Sequence, residues 1–373
     1  MKGRIIIVGG DHENTLNVIR SVAEGGYKPI ALIISDSKKC FITHSKYLKD
    51  YSTFSSEDEV VEYLVNLETG NEKIAIVCTS DSAAATLDGN REKLKGKFFI
   101  SNCKDKQGGL VVEMDKNKMC ESAKKAGFNI PETRAVRLDN YSVECLKDFT
   151  FPAIVKPEES IGGLKTDFRV CLNFEELKCA LAELSHNVTR VLVQEFIPND
   201  EMSLISGVRS EKGINYHLGL INKVRYGFKT HNLGLNAIGE WSHLTFMKEE
   251  CNRFLDSIDY HGPYSIEFVT HKGKTYFLEA NYRTDVTIYI YSKVGLNIPV
   301  IWAESCYQDK VNITLPSKNN QTRGMNEFLY VRLFVRPTKI LTNIKDFWRT
   351  NVFAIMSIKD PKPLIYKFLN KII

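Results

Sequence analysis

Residues 4–10 read RIIIVGG, and this run constrains the fold more than any other stretch. Four consecutive apolar residues closed by two glycines do not alternate as a half-solvated strand would, so both faces of the strand must be covered. Strands of that kind belong to parallel sheets sandwiched by helices. The next segments agree. NTLNVIRSVAEGGY puts Leu16, Ile19 and Val22 on one helical side and stops at Gly25-Gly26. KPIALIIS returns as a strand, EDEVVEYLVNLE as a helix, KIAIVCTSD as a third strand and GKFFISN as a fourth. Residues 1–112 are therefore expected to form a Rossmann-like parallel sheet. Ligands gather at the carboxyl ends of such strands, here near Gly9, Gly10, Asp11, Ser80 and Asp81. The glycines do not make a G-x-G-x-x-G fingerprint, so a dinucleotide is not indicated.

Several classes of protein fall away at once. No apolar stretch approaches the roughly 18 residues that span a bilayer. The N-terminal apolar run is too short, and too soon followed by Asp11-His12-Glu13, for a signal peptide. The nine cysteines are scattered without a C-x-x-C, which predicts reduced, packed thiols rather than zinc or a disulfide framework. A cytoplasmic protein is expected. Charge is uneven: from Tyr307 onward there are 12 Lys and Arg against 4 Asp and Glu, a net of +8. The whole chain carries only +5, so the preceding part is −3. The basic segment is read either as the solvated face of a packed helix or as a contact with a membrane or nucleic acid.

Residues 113–306 alternate differently. DKNKMCESAKKAGFNIPETRAV reads as a helix stopped at Gly127 and followed by a Pro131 turn. The short strand FPAIVKP carries Lys156, whose ammonium needs water or an anion because burying it alone is costly. A polar glycine loop follows, with Ser160, Gly162, Gly163 and Lys165. Backbone N–H groups beside a fixed lysine suit phosphates. Asn173 and Glu176 form a capping box before the helix NFEELKCALAEL. Strands VLVQEFI, MSLISGVRS and INYHLGLINKVR come next, then an expected loop from Tyr226 to Gly239 and a helix near MKEECNRFLDSI. In that loop Tyr226, Lys229, His231 and Asn232 are candidate substrate contacts. Residues 307–373 are expected to hold a strand, FLYVRLFVRP, and a helix, PLIYKFLNKII.

The hairpin PYSIEFVTHKGKTYFLEAN is the most specific feature. Its turn at Lys272-Gly273 lies midway between Glu267 and Glu279, so antiparallel pairing brings the two carboxylates together. Glu279, Asn281, Arg283 and Asp285 recur at every second position and would share one face. Clustered carboxylates repel unless a cation sits between them. Mg²⁺ is satisfied by one or two carboxylates with phosphate oxygens and water. Asn281 would add a neutral oxygen, and the planar fork of Arg283 could hold a carboxylate or acyl phosphate. A structural salt-bridge cluster is the plainer reading of the same residues.

DK at 115–116, FPAIVKP with its glycine loop, VLVQEFI…DE and IEF…FLEANYR occur in the order seen in the ATP-grasp superfamily. Over roughly residues 1–305 the chain resembles its carboxylate–amine ligases, similar to D-alanine–D-alanine ligase, D-aspartate ligase and the carbamoyl-phosphate-synthase/biotin-carboxylase group. The resemblance implies a Rossmann-like pre-ATP-grasp domain (1–112), a small lobe (113–198), a large lobe with the metal site (199–306) and a basic extension packed on the core (307–373). It implies that Lys116 and Lys156 contact nucleotide phosphates while Ser160, Gly162, Gly163 and Lys165 close over them. Gln194, Glu195, Phe196 and Ile197 match the hinge that reads adenine, and Glu201 the acid that binds the ribose. Glu267, Glu279 and Asn281 match the Mg²⁺ ligands, with Mn²⁺ as an alternative ion. Arg283 matches the acyl-phosphate anchor, and Lys223, with Arg225 beside it, a cation near the γ-phosphate. Asp285 matches no family role and is read as orienting Arg283. The implied reaction is ADP-forming: ATP activates a small carboxylate as an acyl phosphate, and an amine, less often a thiol, attacks it. Amino-acid, peptide or cell-surface biosynthesis is the implied setting, with a homodimer and no nucleic-acid partner. The phosphate loop is shorter than in biotin carboxylase and no biotin-carrier segment is present, which disfavours biotin carboxylation. A phosphotransferase, a non-catalytic nucleotide-binding regulator or scaffold, and a basic membrane-surface partner protein organised around its tail are the rival readings.

Overall fold

The computed structural model describes residues 3–372 apart from 38, 141–142, 158–168, 199–200, 228–231, 241–245, 315, 317–321 and 328–339; side chains at 157, 201, 220, 222–227, 232–240, 340, 342–343 and 371–372 also lie outside it. Among the described residues three sheets form. The first is the parallel sheet of β1 (Arg4–Gly10), β2 (Lys28–Ile34), β3 (Asp50–Phe54), β4 (Ile74–Cys78) and β5 (Phe98–Phe99), in the order β3-β2-β1-β4-β5. Ile5 and Ile7 pack with Leu16 and Ile19 of α1 (Glu13–Glu24) and with Trp302, while Ile6 and Val8 face Val60 and Leu64 of α2 (Glu57–Asn66). The uninterrupted apolar run thus serves two helical layers. β3 was not legible as a strand: DYSTF is a half-exposed edge strand without an apolar face. The strand order reverses between β1 and β4, so their carboxyl ends flank the crevice where such sheets bind ligands.

The second sheet is antiparallel, ordered Thr133–Arg137, Arg190–Glu195, Ala153–Pro157, Arg169–Cys171, with helix Phe174–Leu184 on one face. The third runs from Lys274–Asn281 through Tyr260–His271, Glu201–Arg209, Asn215–Gly227, Asn232–Glu240 and Thr322–Met325 to Val352–Phe353. This corrects the expected loop at 226–239. Tyr226 pairs with Leu233 and Gly227 with Asn232, so most of that stretch is strand. NLGLNAIGE has two glycines and little intrinsic strand preference, and partners on both sides supply the order instead.

Among the described residues the basic C-terminal segment contributes the last two strands of this sheet and two helices, Ile340–Arg349 and Lys362–Ile372. The expected strand at 328–337 lies outside the described residues. The final helix packs on the Phe41–His44 turn, where the His44 and Tyr366 rings stack. Asp360 is bonded to Arg20 of α1 in the interior. No described helix is long and apolar enough to cross a membrane.

Candidate functional site

The hairpin Tyr260–His271/Lys274–Asn281 turns through Lys272 and Gly273, both at positive φ (49° and 75°). Counting back from that turn opposes Glu267 to Leu278, not to Glu279. A β-bulge corrects the register: Phe268 pairs with Phe277, whereas Glu267 pairs with Glu279 and Ser265 with Asn281. Leu278 is the extra residue. Its insertion sends Phe277, Ala280 and Tyr282 into one core, while Tyr276 and Leu278 join Ile197, Met202 and Val269 in a smaller apolar cluster. Glu279 and Asn281 therefore stand on the face opposite Ala280 and Tyr282, with Glu267 beside them. Bulges re-aim side chains in this way next to functional sites.

Arg283 ties that face to the parallel sheet. Its Nε and Nη2 donate to the two carboxylate oxygens of Asp81, each at 3.2 Å, and Nη2 also donates to Asn281 Oδ1 at 3.0 Å. Asp81 is the first residue of α3 (Asp81–Gly89), behind β4. Burial pulls the Arg283 pKa down, but the Asp81, Asp285 and Glu279 charges outweigh it and leave the guanidinium raised. Asp285 has a different task from the one expected. It is buried and accepts from Thr287 N and Thr287 Oγ1, both at 2.5 Å, and from Ser206 Oγ at 3.3 Å. Asp81, rather than Asp285, is the residue bonded to Arg283. Next along the chain, Thr284 Oγ1 donates to Cys78 O at 2.9 Å, and Asn14 Nδ2 bridges Thr79 O (2.9 Å) and Thr284 O (2.7 Å). These bonds fix the carboxyl ends of β1 and β4 against the end of the hairpin. Gly9 is required there, because a Cβ would collide with the Thr79 hydroxyl.

The two lysines converge on the same volume. Lys116 opens the helix Lys116–Lys125, whose N-cap Asp115 accepts from Lys118 N at 2.8 Å. Burial and the neighbouring Lys156 lower the Lys116 pKa, while Glu279 and Asp81 oppose the shift. Lys156 Nζ donates to Gln194 Oε1 at 2.9 Å, and Gln194 Nε2 donates to Thr133 Oγ1 at 2.9 Å. The buried-strand lysine is thus held by a neutral amide. Glu195 N donates to Glu132 O and Phe196 N to Pro152 O, both at 2.8 Å, so these two backbone amides are already engaged within the protein. Asp11 also departs from expectation: its oxygens accept from Phe41 N and Ile42 N, each at 3.1 Å, and shape a turn. His12, which caps α1, is lowered by burial and by the Arg283 and Lys367 charges, against Glu13.

Ser160, Gly162, Gly163 and Lys165 lie outside the described residues. The backbones of Glu201 and Lys223 are placed in paired strands of the third sheet, with Met202 opposite Lys223. Asp81, Met202 and Leu278 had no individual signal as site residues in the sequence beyond Asp81's place behind a strand. Among the described residues no three His, Cys, Asp or Glu side chains gather to hold a metal. The face of the hairpin offers two carboxylates, Glu267 and Glu279, and the Asn281 amide oxygen.

The arrangement of sheets is the ATP-grasp fold. No family model matches the sequence, and no curated protein matches it either. Among solved structures, N5-carboxyaminoimidazole synthetase from Staphylococcus aureus complexed with ADP is 13% identical, with 87% of this chain and 82% of that chain covered and a TM-score of 0.66. The biotin carboxylase domain of Hydrogenobacter thermophilus 2-oxoglutarate carboxylase, a dimer in complex with MgADP, ADP and bicarbonate, is 17% identical, covering 85% and 73% at a TM-score of 0.64. L-amino acid ligase from Bacillus licheniformis is 16% identical, covering 81% and 73% at a TM-score of 0.60. At these identities the likeness is one of fold.

Proposed function

We propose that this chain is an ADP-forming ligase that activates a small carboxylate as an acyl phosphate and transfers the acyl group to an amine. The observation that carries this reading is the in-register pair Glu267–Glu279 on one face with Asn281, beside Arg283 and close to Lys116 and Lys156. The neighbours' names support it, since they include complexes with ADP and MgADP and an amino acid ligase.

The donor set suits Mg²⁺, or Mn²⁺ in its place, because such an ion takes one or two carboxylates and completes its shell with phosphate oxygens and water. Asn281 Oδ1 already accepts from Arg283, and a carbonyl oxygen has a second lone pair to offer. Glu267, Glu279 and Asn281 would hold the ion, which would supply charge neutralisation at the phosphates. Lys116 and Lys156 add fixed positive charge there, and Lys156 exchanges Gln194 for a phosphate oxygen when nucleotide enters. As the resemblance implies, we assign cover of the phosphates to Ser160, Gly162, Gly163 and Lys165, and a contact with the γ-phosphate to Lys223. We assign the slot for adenine to the apolar cluster of Ile197, Met202, Val269, Tyr276 and Leu278, and the ribose to Glu201, as the resemblance implies.

In the first step a substrate carboxylate oxygen attacks the γ-phosphorus and the bond to the bridging oxygen breaks, releasing ADP. In the second an amine attacks the carbonyl carbon, phosphate departs with the original carboxylate oxygen, and the amine loses a proton to solvent. Preorganised charge supplies most of the rate in such transfers. The Arg283 fork, steadied by Asp81, would hold the substrate carboxylate and then the acyl phosphate formed from it. A cytoplasmic homodimer working on a small acid and a small amine is the setting we infer.

A screen of amino acids and small acids for ADP release, with hydroxylamine to trap acyl phosphate as a hydroxamate, tests the reading. Glu279→Gln should cut turnover by about 10²-fold or more. AMP as the product, or turnover unchanged by Glu279→Gln, would overturn it.

A further inference from the structure

The basic segment is built into the fold, yet one of its helices keeps an apolar stripe in water. Helix Ile340–Arg349 leaves Leu341 83% and Trp348 82% exposed, with Ile344 40% exposed between them. Positions 341, 344 and 348 follow the i, i+3, i+7 spacing that shares one helical face. The helix is anchored from another side, where the Phe347 and Phe353 rings lie 5.1 Å apart. Lys345 and Arg349, one turn beyond Leu341 and Lys345 respectively, border the stripe with exposed cationic side chains. In the final helix Ile365 and Leu369 are 52% and 43% exposed, and Lys362 is exposed before them. Isolated exposed apolar residues are ordinary, but a leucine, an isoleucine and a tryptophan aligned on one face are not.

We infer that the helix Ile340–Arg349 docks this protein on an anionic lipid surface, lying in the plane of the interface with Leu341, Ile344 and Trp348 toward the acyl chains. Three observations favour lipid over a second copy of the chain or a protein groove. The chain from Tyr307 carries a net +8. The helix itself sets exposed Lys345 and Arg349 against a single acid, Asp346. Tryptophan beside lysine and arginine is the composition that interfaces select. At ten residues the helix is about 15 Å long, half a bilayer core, so it rests on the membrane and does not cross it.

The test uses the full chain and flotation with vesicles of phosphatidylcholine alone or mixed with phosphatidylglycerol. Binding to the anionic vesicles only, weakening as salt is added, is the expected result. Lys345→Glu and Arg349→Glu should each weaken partitioning at least about fivefold. Leu341→Ser with Trp348→Ser should abolish it while the thermal melt stays unchanged, which separates loss of docking from loss of fold. No flotation with anionic vesicles would overturn the inference, as would flotation indifferent to both sets of variants. A dimer in sedimentation velocity that the Leu341/Trp348 variant dissolves, without vesicle binding, would assign the stripe to a second copy instead and equally overturn it.

Discussion

Arg20 and Arg283 each bind an aspartate far away in sequence, and the two pairs differ in nearly every physical respect. Arg20 and Asp360 are 0% and 1% exposed. Arg20 Nε donates to Asp360 Oδ2 at 3.0 Å, and Nη2 donates to Ile355 O at 2.8 Å and to Asp360 O at 3.2 Å. Asp360 also accepts from Ser45 Oγ at 2.8 Å and Lys46 N at 2.9 Å. Arg283 and Asp81 are 18% and 33% exposed, meet through two longer contacts, and share a nitrogen with Asn281. A pair sealed from solvent, even with Arg20 Nη1 left without a partner among the described residues, stabilises one arrangement of the chain and is closed to an incoming ligand. A pair at the mouth of a crevice, with its fork split between two partners, can exchange one of them for an incoming carboxylate. The contrast separates the arginine that fastens the basic segment from the arginine that we assign to substrate.

The contrast breaks if the two arginines respond alike. Asp360→Ala should destabilise the chain by about 3–5 kcal/mol in urea titrations, because it leaves the Arg20 charge buried without its partner. Turnover per folded molecule should not change, since Asp360 is remote from the hairpin acids in the bonding network. Arg283→Lys should do the reverse. An ammonium cannot reproduce the planar fork, so kcat/KM for the carboxylate should fall about 10²-fold while stability shifts by about 1 kcal/mol or less. If Arg283→Lys unfolds the protein as Asp360→Ala does, its role is structural and the assignment of the crevice fails.

The same pairs show what a sequence can and cannot disclose. The parallel sheet was legible because its central strands are apolar on both faces, as Ile5 to Val8 show. The capping box was legible because it is local: Asn173 Oδ1 accepts from Glu176 N at 3.0 Å as the spacing predicts. Glu267 and Glu279 were legible as near neighbours across the turn, though counting from that turn opposes Glu267 to Leu278. The bulge at Leu278 was not, because it depends on Phe277 and Ala280 both finding the same core, which is a tertiary matter. Asp81 was visible as a residue behind a strand, but nothing local points from it to Arg283, 202 positions away. Arg20 and Asp360, 340 positions apart, are hidden for the same reason. The net charge of the last segment was plain from the beginning. How that segment would be held was not.

A third pair, Glu13 with Lys367, lies between the two extremes and gives the smallest effect. It joins the start of α1 to the final helix, with side chains 21% and 17% exposed. Burial pushes the Glu13 carboxyl up, but the hydrogen bond and charge of Lys367 outweigh that and hold it below its ordinary value of 4.5. A carboxyl depressed on folding stabilises the folded state above its unfolded value, and that contribution disappears as pH falls through the folded value. Docking of the final helix should therefore weaken in acid below about pH 4.5, by about 1 kcal/mol or less given the partial exposure. Hydrogen exchange of the amides in Lys362–Ile372 reads this directly, without unfolding the rest of the chain. Lys367→Met should raise exchange at neutral pH and flatten its acid dependence, while leaving the Arg20–Asp360 contact protected. Should the helix show the same protection at neutral and acid pH, the segment is held by its other contacts, such as Asn370 on Lys39 O and Leu364 in the core, and the pair at Glu13 contributes nothing to its docking.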